Sequence, residues 1–417
     1  MRTSVLPADF FLKNRQRLSE RLSADSLALM QSSANTIRNA DALNLWRQDS
    51  DFFYFTGIDY PDCSLLLVPG VEGKTDEYLF IPPVDPELEK WNGKMLTKDQ
   101  AKETSGVKNV LYNDSLANTL FRNQKWKEVL YCELNDHFPS QSLTPQHLFL
   151  ADLRNRLPGL QQKKLNLLTS SMRTVKQPQE IEVIRQATSI VKSALEAVMR
   201  KLKPGLMEFQ IEAELTYQYI YNGCKRHGFD PIVASGKNAT VLHYITNNDQ
   251  LKDGDLVLID TGGEFQMYSA DITRVFPISG SFSERQKECY QAVLDVNKTF
   301  IDQLKPGSSW AQLHKLAGEL TGDIYSKYGF VEDPKKHLEV SYHRIGHHLG
   351  LDIHDVGNPD EPLEPGAVLT VEPGLYLPDE GIGVRIEDNI LLTESGCEVL
   401  SADIPKEIDD IEAIMSN

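Results

Sequence analysis

The sequence predicts a mixed α/β (α+β) chain of two domains, the second built around an internal pseudo-twofold axis. Three observations predict it: the 417-residue length, short apolar runs alternating with helical stretches, and two similar acidic hairpins in the C-terminal half. A chain this long exceeds the usual single hydrophobic core, so two interiors are expected, over residues 1–165 and 170–417.

In the first domain, runs at 64–68 and 77–81 read as strands and 115–121 reads as helix. A polar stretch at 161–164 then leads to Lys176-x-Pro178 and a long helix, in which Ile184, Ala187, Val191, Leu195, Val198 and Leu202 recur at the 3.6-residue period. Lys203-Pro204-Gly205 stops it. A second helix is predicted from Ser283, where Ser283-x-x-Gln286 has the capping-box pattern. Its stripe of Tyr290, Val293, Val296, Phe300 and Leu304 ends before Pro306-Gly307.

The hairpins carry the chemistry. In the first, the apolar run 256–259 ends on Asp260, a Gly262-Gly263 turn region follows, and a second segment delivers Asp271. In the second, 368–371 runs into Glu372, a turn with Pro378, Gly381 and Gly383 follows, and the return segment delivers Glu387. The spacings are D-x10-D and E-x14-E. With His347 these give five candidate ligands in the order Asp, Asp, His, Glu, Glu. Four carboxylates and one imidazole form a hard, oxygen-rich set that suits Mn²⁺-like ions and differs from the thiolate sets of structural zinc. Four negative charges balance two divalent cations, an arrangement that can hold a bridging hydroxide for hydrolysis.

Strand alternation places Arg385 beside Glu387, where its guanidinium would keep that carboxylate ionised or bind a substrate oxygen. Arg274, three after Asp271, reads equally as a similar partner or as a surface salt bridge, and Asp388 as a structural residue facing away. His343, His347, His348 and His354 crowd into twelve positions, and His243 precedes the first hairpin. His348 reads as a satisfied polar group. His354 and His243 are candidate proton carriers, since amide hydrolysis must protonate a departing amine and imidazole titrates near neutrality. The H-E-x-x-H pattern is absent, as are a nucleophile-elbow serine, a Walker loop and a dinucleotide fingerprint.

Composition excludes other classes. The 43 basic and 60 acidic residues give a net charge of −17, which argues against nucleic acid as the main partner. Five scattered cysteines without a C-x-x-C pair read as reduced thiols. With no apolar run near the ~18 residues of a membrane span and no signal-like h-region, a soluble cytoplasmic protein with no membrane association is expected.

The stretches L-I-D-T-G-G-E-F-Q-M-Y-S-A-D-I-T-R (258–274), G-H-H-L-G-L-D-I-H-D-V-G (346–357), T-V-E-P-G-L-Y (370–376) and G-V-R-I-E-D (383–388) resemble the pita-bread metallopeptidases, specifically Xaa-Pro aminopeptidase (aminopeptidase P) and prolidase. The resemblance extends to A-S-G-K-N-A-T-V-L-H (234–243) and to R-Q-D-S-D-F-F-Y-F-T-G (47–57). It implies a creatinase/prolidase-like N-terminal domain, a pita-bread catalytic domain and a homodimer. It also implies two divalent ions on Asp260, Asp271, His347, Glu372 and Glu387: manganese first, with zinc, cobalt or iron as alternatives. Asp271 and Glu387 would bridge them and Glu372 would help deprotonate the bridging water. His354 and His243 match the substrate-binding and proton-transfer histidines, and His343 and Arg385 match residues lining the proline pocket.

The implied substrates are peptides with proline in the second position. The loop 356–365 contains no arginine, whereas prolidases usually place one there for the dipeptide carboxylate, so longer peptides are favoured over dipeptides. Phe229 stands where relatives often carry a tyrosine. Trp91 aligns loosely with a tryptophan that in some relatives reaches a neighbouring subunit's site. Prolidase activity remains the alternative enzyme reading and a non-catalytic pita-bread binding module the alternative class, although such modules replace the ligands that are all present here. Methionine aminopeptidase is disfavoured because it normally lacks the large N-terminal domain.

Overall fold

Pro178, whose missing N–H is harmless in the first helical turn, opens the long helix α1 (Pro178–Lys201), and the stripe Ile184, Ala187, Val191, Leu195 and Val198 is buried along it. The computed structural model describes residues 6–70, 73–134 and 143–416, so residues 1 and 417, the outer bounds of the two expected domains, lie outside the described residues. The chain divides into two units, 1–170 and 171–417.

The first unit holds a six-stranded mixed sheet. Its strands are β1 (Ser26–Gln31), β2 (Ser64–Pro69), β3 (Thr75–Ile81), β4 (Asn109–Tyr112), β5 (Val129–Cys132) and β6 (Gln161–Lys164), in the spatial order β4-β3-β2-β1-β5-β6. The first three pair antiparallel, and β4, β5 and β6 join parallel to their neighbours. Sequence pattern misses β6, read above as a polar stretch. As an edge strand it pairs on one side only and its residues are half-buried or exposed, so no apolar alternation marks it. Trp91, on the short helix Pro86–Asn92, is exposed.

The second unit repeats one pattern twice. In the first copy β8 (Leu256–Thr261) is flanked antiparallel by β7 (Ile232–Ser235) and β9 (Ile272–Pro277). In the second, β10 (Val368–Val371) pairs antiparallel with β13 (Asp388–Leu392), which pairs with β14 (Cys397–Val399). Each hairpin is broken midway into two ladders. Beyond β8 and β9 the chain forms a small ladder of Gly263–Phe265 with Tyr268–Ser269; beyond β10 and β13 it forms β11 (Gly374–Leu377) with β12 (Ile382–Arg385). The expected acidic residues sit at or beside these breaks, Asp260 near the end of β8 and Asp271, Glu372 and Glu387 between strands.

Helix α2 (Glu208–Tyr221) packs on α1, and α3 (Glu284–Gln303) packs on α4 (Trp310–Lys327). Ser283 caps α3 as the sequence predicts, accepting from the Gln286 N–H while Gln286 returns to the Ser283 backbone, and Tyr290, Val293, Val296 and Phe300 are buried. Among the described residues no helix is long and apolar enough to cross a membrane.

Candidate metal centre

Three of the predicted ligands converge closely: one ligand atom each from Asp271, His347 and Glu387 lies within 4.8 Å of the others. His347 Nε2 stands 3.4 Å from Asp271 Oδ2 and 3.8 Å from Glu372 Oε1, which brings in the fourth. Asp260, the fifth, acts on Glu372, Asp271 and Glu387 through its charge. The segment carrying His347 lies along the end of β10, where the Thr370 N–H donates to the His347 carbonyl at 2.9 Å and the Glu372 N–H to the Ile345 carbonyl at 2.8 Å. Only glycine fits at 346 in this close approach, because a Cβ there would fall on the Thr370 carbonyl.

The protonation pattern fits a bound cation. His347 Nδ1 lies 2.9 Å from the His348 carbonyl, which can only accept, so Nδ1 carries the hydrogen. Nε2, the nitrogen left to ligate a metal when Nδ1 is held by a carbonyl, then faces the Asp271 and Glu372 carboxylates. Asp260 Oδ1 is buried with no hydrogen-bond partner. Burial, and then the charges of Asp260 and Glu372, raise the Asp271 carboxyl well above its ordinary range; burial, Asp271, Glu372 and Asp260 do the same to Glu387. Burial pushes Glu372 up to about 7 against the opposing pull of His347 and Arg385. Such mutual repulsion is what a divalent cation relieves.

The structure refines one reading of the arginines and corrects another. Arg385 favours the ionised form of Glu387 through its charge, as expected, but makes no direct bond to it: Nη2 donates to Asp260 Oδ2 at 2.6 Å, and Nε donates at 3.1 Å to Thr273 Oγ1, which donates in turn to Glu387 Oε2 at 2.8 Å. Arg274 is no surface residue. It is fully buried and donates to Asp388 Oδ1 at 2.8 Å and to the carbonyls of Thr273, Glu387, Ile404 and Pro405, while Lys406 Nζ holds Asp388 Oδ2 at 2.6 Å. Asp388 is structural, as expected.

Residues two places after Asp271 and Glu387 cross-brace the centre. Thr273 holds Glu387, and Asn389 holds the Asp271 backbone, accepting from its N–H at 3.2 Å and donating to its carbonyl at 2.6 Å. Strand alternation marks Thr273 and Asn389 as neighbours of Asp271 and Glu387, but it does not give the partner that each binds on the other hairpin. Tyr376 was also missed, and its signal is weaker.

Arg385 Nη1 donates to Tyr376 OH at 3.0 Å, and that hydroxyl lies 2.8 Å from His343 Nε2. His343 Nδ1 lies 2.8 Å from the Arg344 carbonyl, so it bears the hydrogen and Nε2 accepts from tyrosine. Burial, with the Arg385 charge, lowers His343 to about 4, in keeping with a neutral ring. His354 and His243 are both exposed, and the His354 ring lies 4.2 Å from the His347 ring. Burial and the neighbouring His347 and His243 lower His354. His348 is buried against the edge of Trp310, with Nδ1 lacking a partner, so the satisfied-polar-group reading does not hold for that atom.

The segment of His354 is anchored by Asp355, which binds Arg173 at 2.5 Å and Lys176 at 2.9 Å. Burial alone would raise this carboxyl, but Lys176 and Arg173 outweigh it and hold it at about 2, below the ordinary 3.8. A carboxyl so depressed stabilises the fold above about pH 4 and loses that contribution as pH falls towards 2. Asp355→Asn is expected to destabilise the second unit by about 2–3 kcal/mol at pH 7. The difference from the parent should shrink below pH 4, which thermal unfolding across pH checks; a constant difference would contradict the pairing.

The profile of "Metallopeptidase family M24" matches residues 182–394 and that of "Aminopeptidase P, N-terminal domain" matches 11–131. Xaa-Pro aminopeptidase of Haemophilus influenzae is 35% identical over 99% of this chain and 98% of its own. The solved structure of aminopeptidase P from E. coli in a low-pH form superimposes with a TM-score of 0.91 at 32% identity, covering 99% of each chain. The same enzyme with the inhibitor Pro-Leu gives 0.89 at 33% identity, covering 99% of this chain and 98% of that one.

Proposed function

This chain belongs to metallopeptidase family M24, with an aminopeptidase P N-terminal domain ahead of the M24 region, and from that premise we propose that it removes the first residue of peptides whose second residue is proline. It is a metal-dependent Xaa-Pro aminopeptidase. The observation that carries this reading is the convergence of Asp271, His347 and Glu387, with His347 Nε2 turned towards carboxylates. Asp260, Asp271, His347, Glu372 and Glu387 would hold two divalent cations, and the oxygen-rich donors support manganese. When bound, such ions polarise a carbonyl and acidify water.

The chain's own residues supply the rest. Glu372, pushed up to about 7, suits a group that takes and returns a proton near neutrality. The scissile bond is a tertiary amide, so its proline nitrogen must gain a proton as it leaves. His354 and His243, exposed imidazoles beside the centre, are the proposed donors. His343 has both nitrogens engaged, so it offers a ring rather than a proton, and with Tyr376 and Arg385 it forms the proposed wall of the proline pocket. The scattered cysteines, with no C-x-x-C pair, support a reducing, cytoplasmic compartment, and the family resemblance supports a homodimer.

A cavity of about 660 Å³ begins at His343, Ile345 and Pro373 and continues past Arg344, Lys335 and Leu338. The cavity shares His343 with the proposed proline pocket, and with the arginine-free loop 356–365 it supports substrates that extend beyond the proline. The manganese-loaded protein is expected to cleave Xaa-Pro tripeptides at least tenfold faster, by kcat/KM, than Xaa-Pro dipeptides, and to leave Met-Ala peptides intact. Cleavage of dipeptides alone would establish the dipeptidase reading instead. His354→Ala should keep its metal and lose about 10²-fold or more in turnover; loss of metal would give that residue a different role.

A further inference from the structure

His243 sits on a segment with little regular structure, 236–249, which leaves β7 through a short 3-10 turn at Gly236–Thr240. One buried carboxylate gathers that segment. Glu208, fully buried at the start of α2, accepts on Oε1 from the Ser235 N–H at 2.8 Å, the Ser235 hydroxyl at 2.7 Å and Asn238 Nδ2 at 3.1 Å. On Oε2 it accepts from Tyr244 OH at 2.8 Å and the Asp249 N–H at 2.9 Å. Its bonds reach both ends of the segment and the residue next to His243.

Two further contacts narrow the freedom of the segment. Asn247 spans it from the far side, accepting from the Val233 N–H and donating to the Pro231 carbonyl and to Glu212. Tyr342, next to His343, donates to the Thr240 carbonyl at 2.7 Å. Glu208 is the hub, with five bonds to residues on both sides of His243, and its donor Asn238 adds one strut of its own across the segment, to Asp249 Oδ2 at 2.9 Å.

We propose that Glu208 is a positioning residue for the reaction, fixing the backbone of 236–249 so that the His243 imidazole stands at the centre. The inference rests on the proposed role of His243. Glutamine at 208 would turn an amide N–H₂ towards a group of donors, releasing the segment while leaving the five candidate ligands intact. Misplacing a reacting group by about an ångström lowers turnover by roughly 10²-fold.

The test measures kcat, KM, manganese content and hydrogen exchange for His243→Ala, Glu208→Gln, Tyr244→Phe and the double variant His243→Ala/Glu208→Gln. Glu208→Gln is expected to lower kcat about 10- to 100-fold, keep its metal, and speed exchange within 235–249 alone, the Ser235 and Asp249 amides included. In the His243→Ala background the same change should lower kcat no further. An additive loss, or unchanged exchange with unchanged kcat, would overturn the inference while leaving the role of His243 standing. Full turnover by His243→Ala would instead overturn that role, and this inference with it. Should Glu208→Gln fail to fold, Tyr244→Phe decides: a several-fold fall in kcat that vanishes in the His243→Ala background supports the proposal, and a fall that persists there overturns it.

Discussion

Glu387→Gln is expected to abolish metal binding and lower peptide cleavage by about 10³-fold or more, because it removes one of three ligand groups already gathered within 4.8 Å of one another. The same change should stabilise the metal-free protein. Glu387 is fully buried beside Asp271, Glu372 and Asp260, and burial and these charges raise its carboxyl well above the ordinary range. A buried carboxyl with a raised pKa destabilises the fold once pH passes its unfolded value, so the metal-free parent should lose stability from about pH 5 to pH 8. Glu387→Gln should flatten that decline. Metal should then raise the Tm of the parent by occupying the native state only, and leave the Tm of the variant unchanged. Calorimetry with and without Mn²⁺ reads both effects; a variant that is less stable than the metal-free parent at pH 8 would show that the carboxylates do not repel as argued.

Arg274→Ala is expected to be the most damaging substitution away from the ligands. The guanidinium is fully buried, pairs with Asp388, and caps the carbonyls of Glu387, Ile404 and Pro405. Burial would raise Asp388, yet Arg274 and Lys406 hold it well below the usual carboxylate range. Removing one partner of such a buried pair typically costs about 3–5 kcal/mol, because the other charge stays buried. For a unit of this size that corresponds to a fall of roughly 10 °C in the second unit's transition. Arg274→Met combined with Asp388→Leu and Lys406→Met should recover part of the loss, since it replaces every charge of the buried cluster by an apolar group. A single variant within 1 °C of the parent would contradict the assignment.

The parts of the fold that bury one face were legible before any coordinates. The stripe from Ile184 to Val198 and the Ser283 capping box specify α1 and α3 because periodicity and caps are local signals. The strand β6 was not legible, since Gln161 to Lys164 pair with one neighbour and expose much of their side chains. The candidate centre was legible as two acidic hairpins because its residues sit beside readable apolar strands. Its bracing was not. Thr273 and Asn389 reach residues of the other hairpin, and such partners depend on how β8–β9 and β10–β13 meet in space. The direct partner of Arg385 was not legible for the same reason: Asp260 is 125 residues away in sequence.

Metal dependence is read by titrating Mn²⁺ into metal-free protein while release of the N-terminal residue from an Xaa-Pro tripeptide is followed. No release is expected in chelator, a rise with added metal that levels at two ions per chain, and no rise in Glu387→Gln. Equal cleavage in chelator and in Mn²⁺, or two bound ions with no cleavage, would contradict a metal-dependent aminopeptidase.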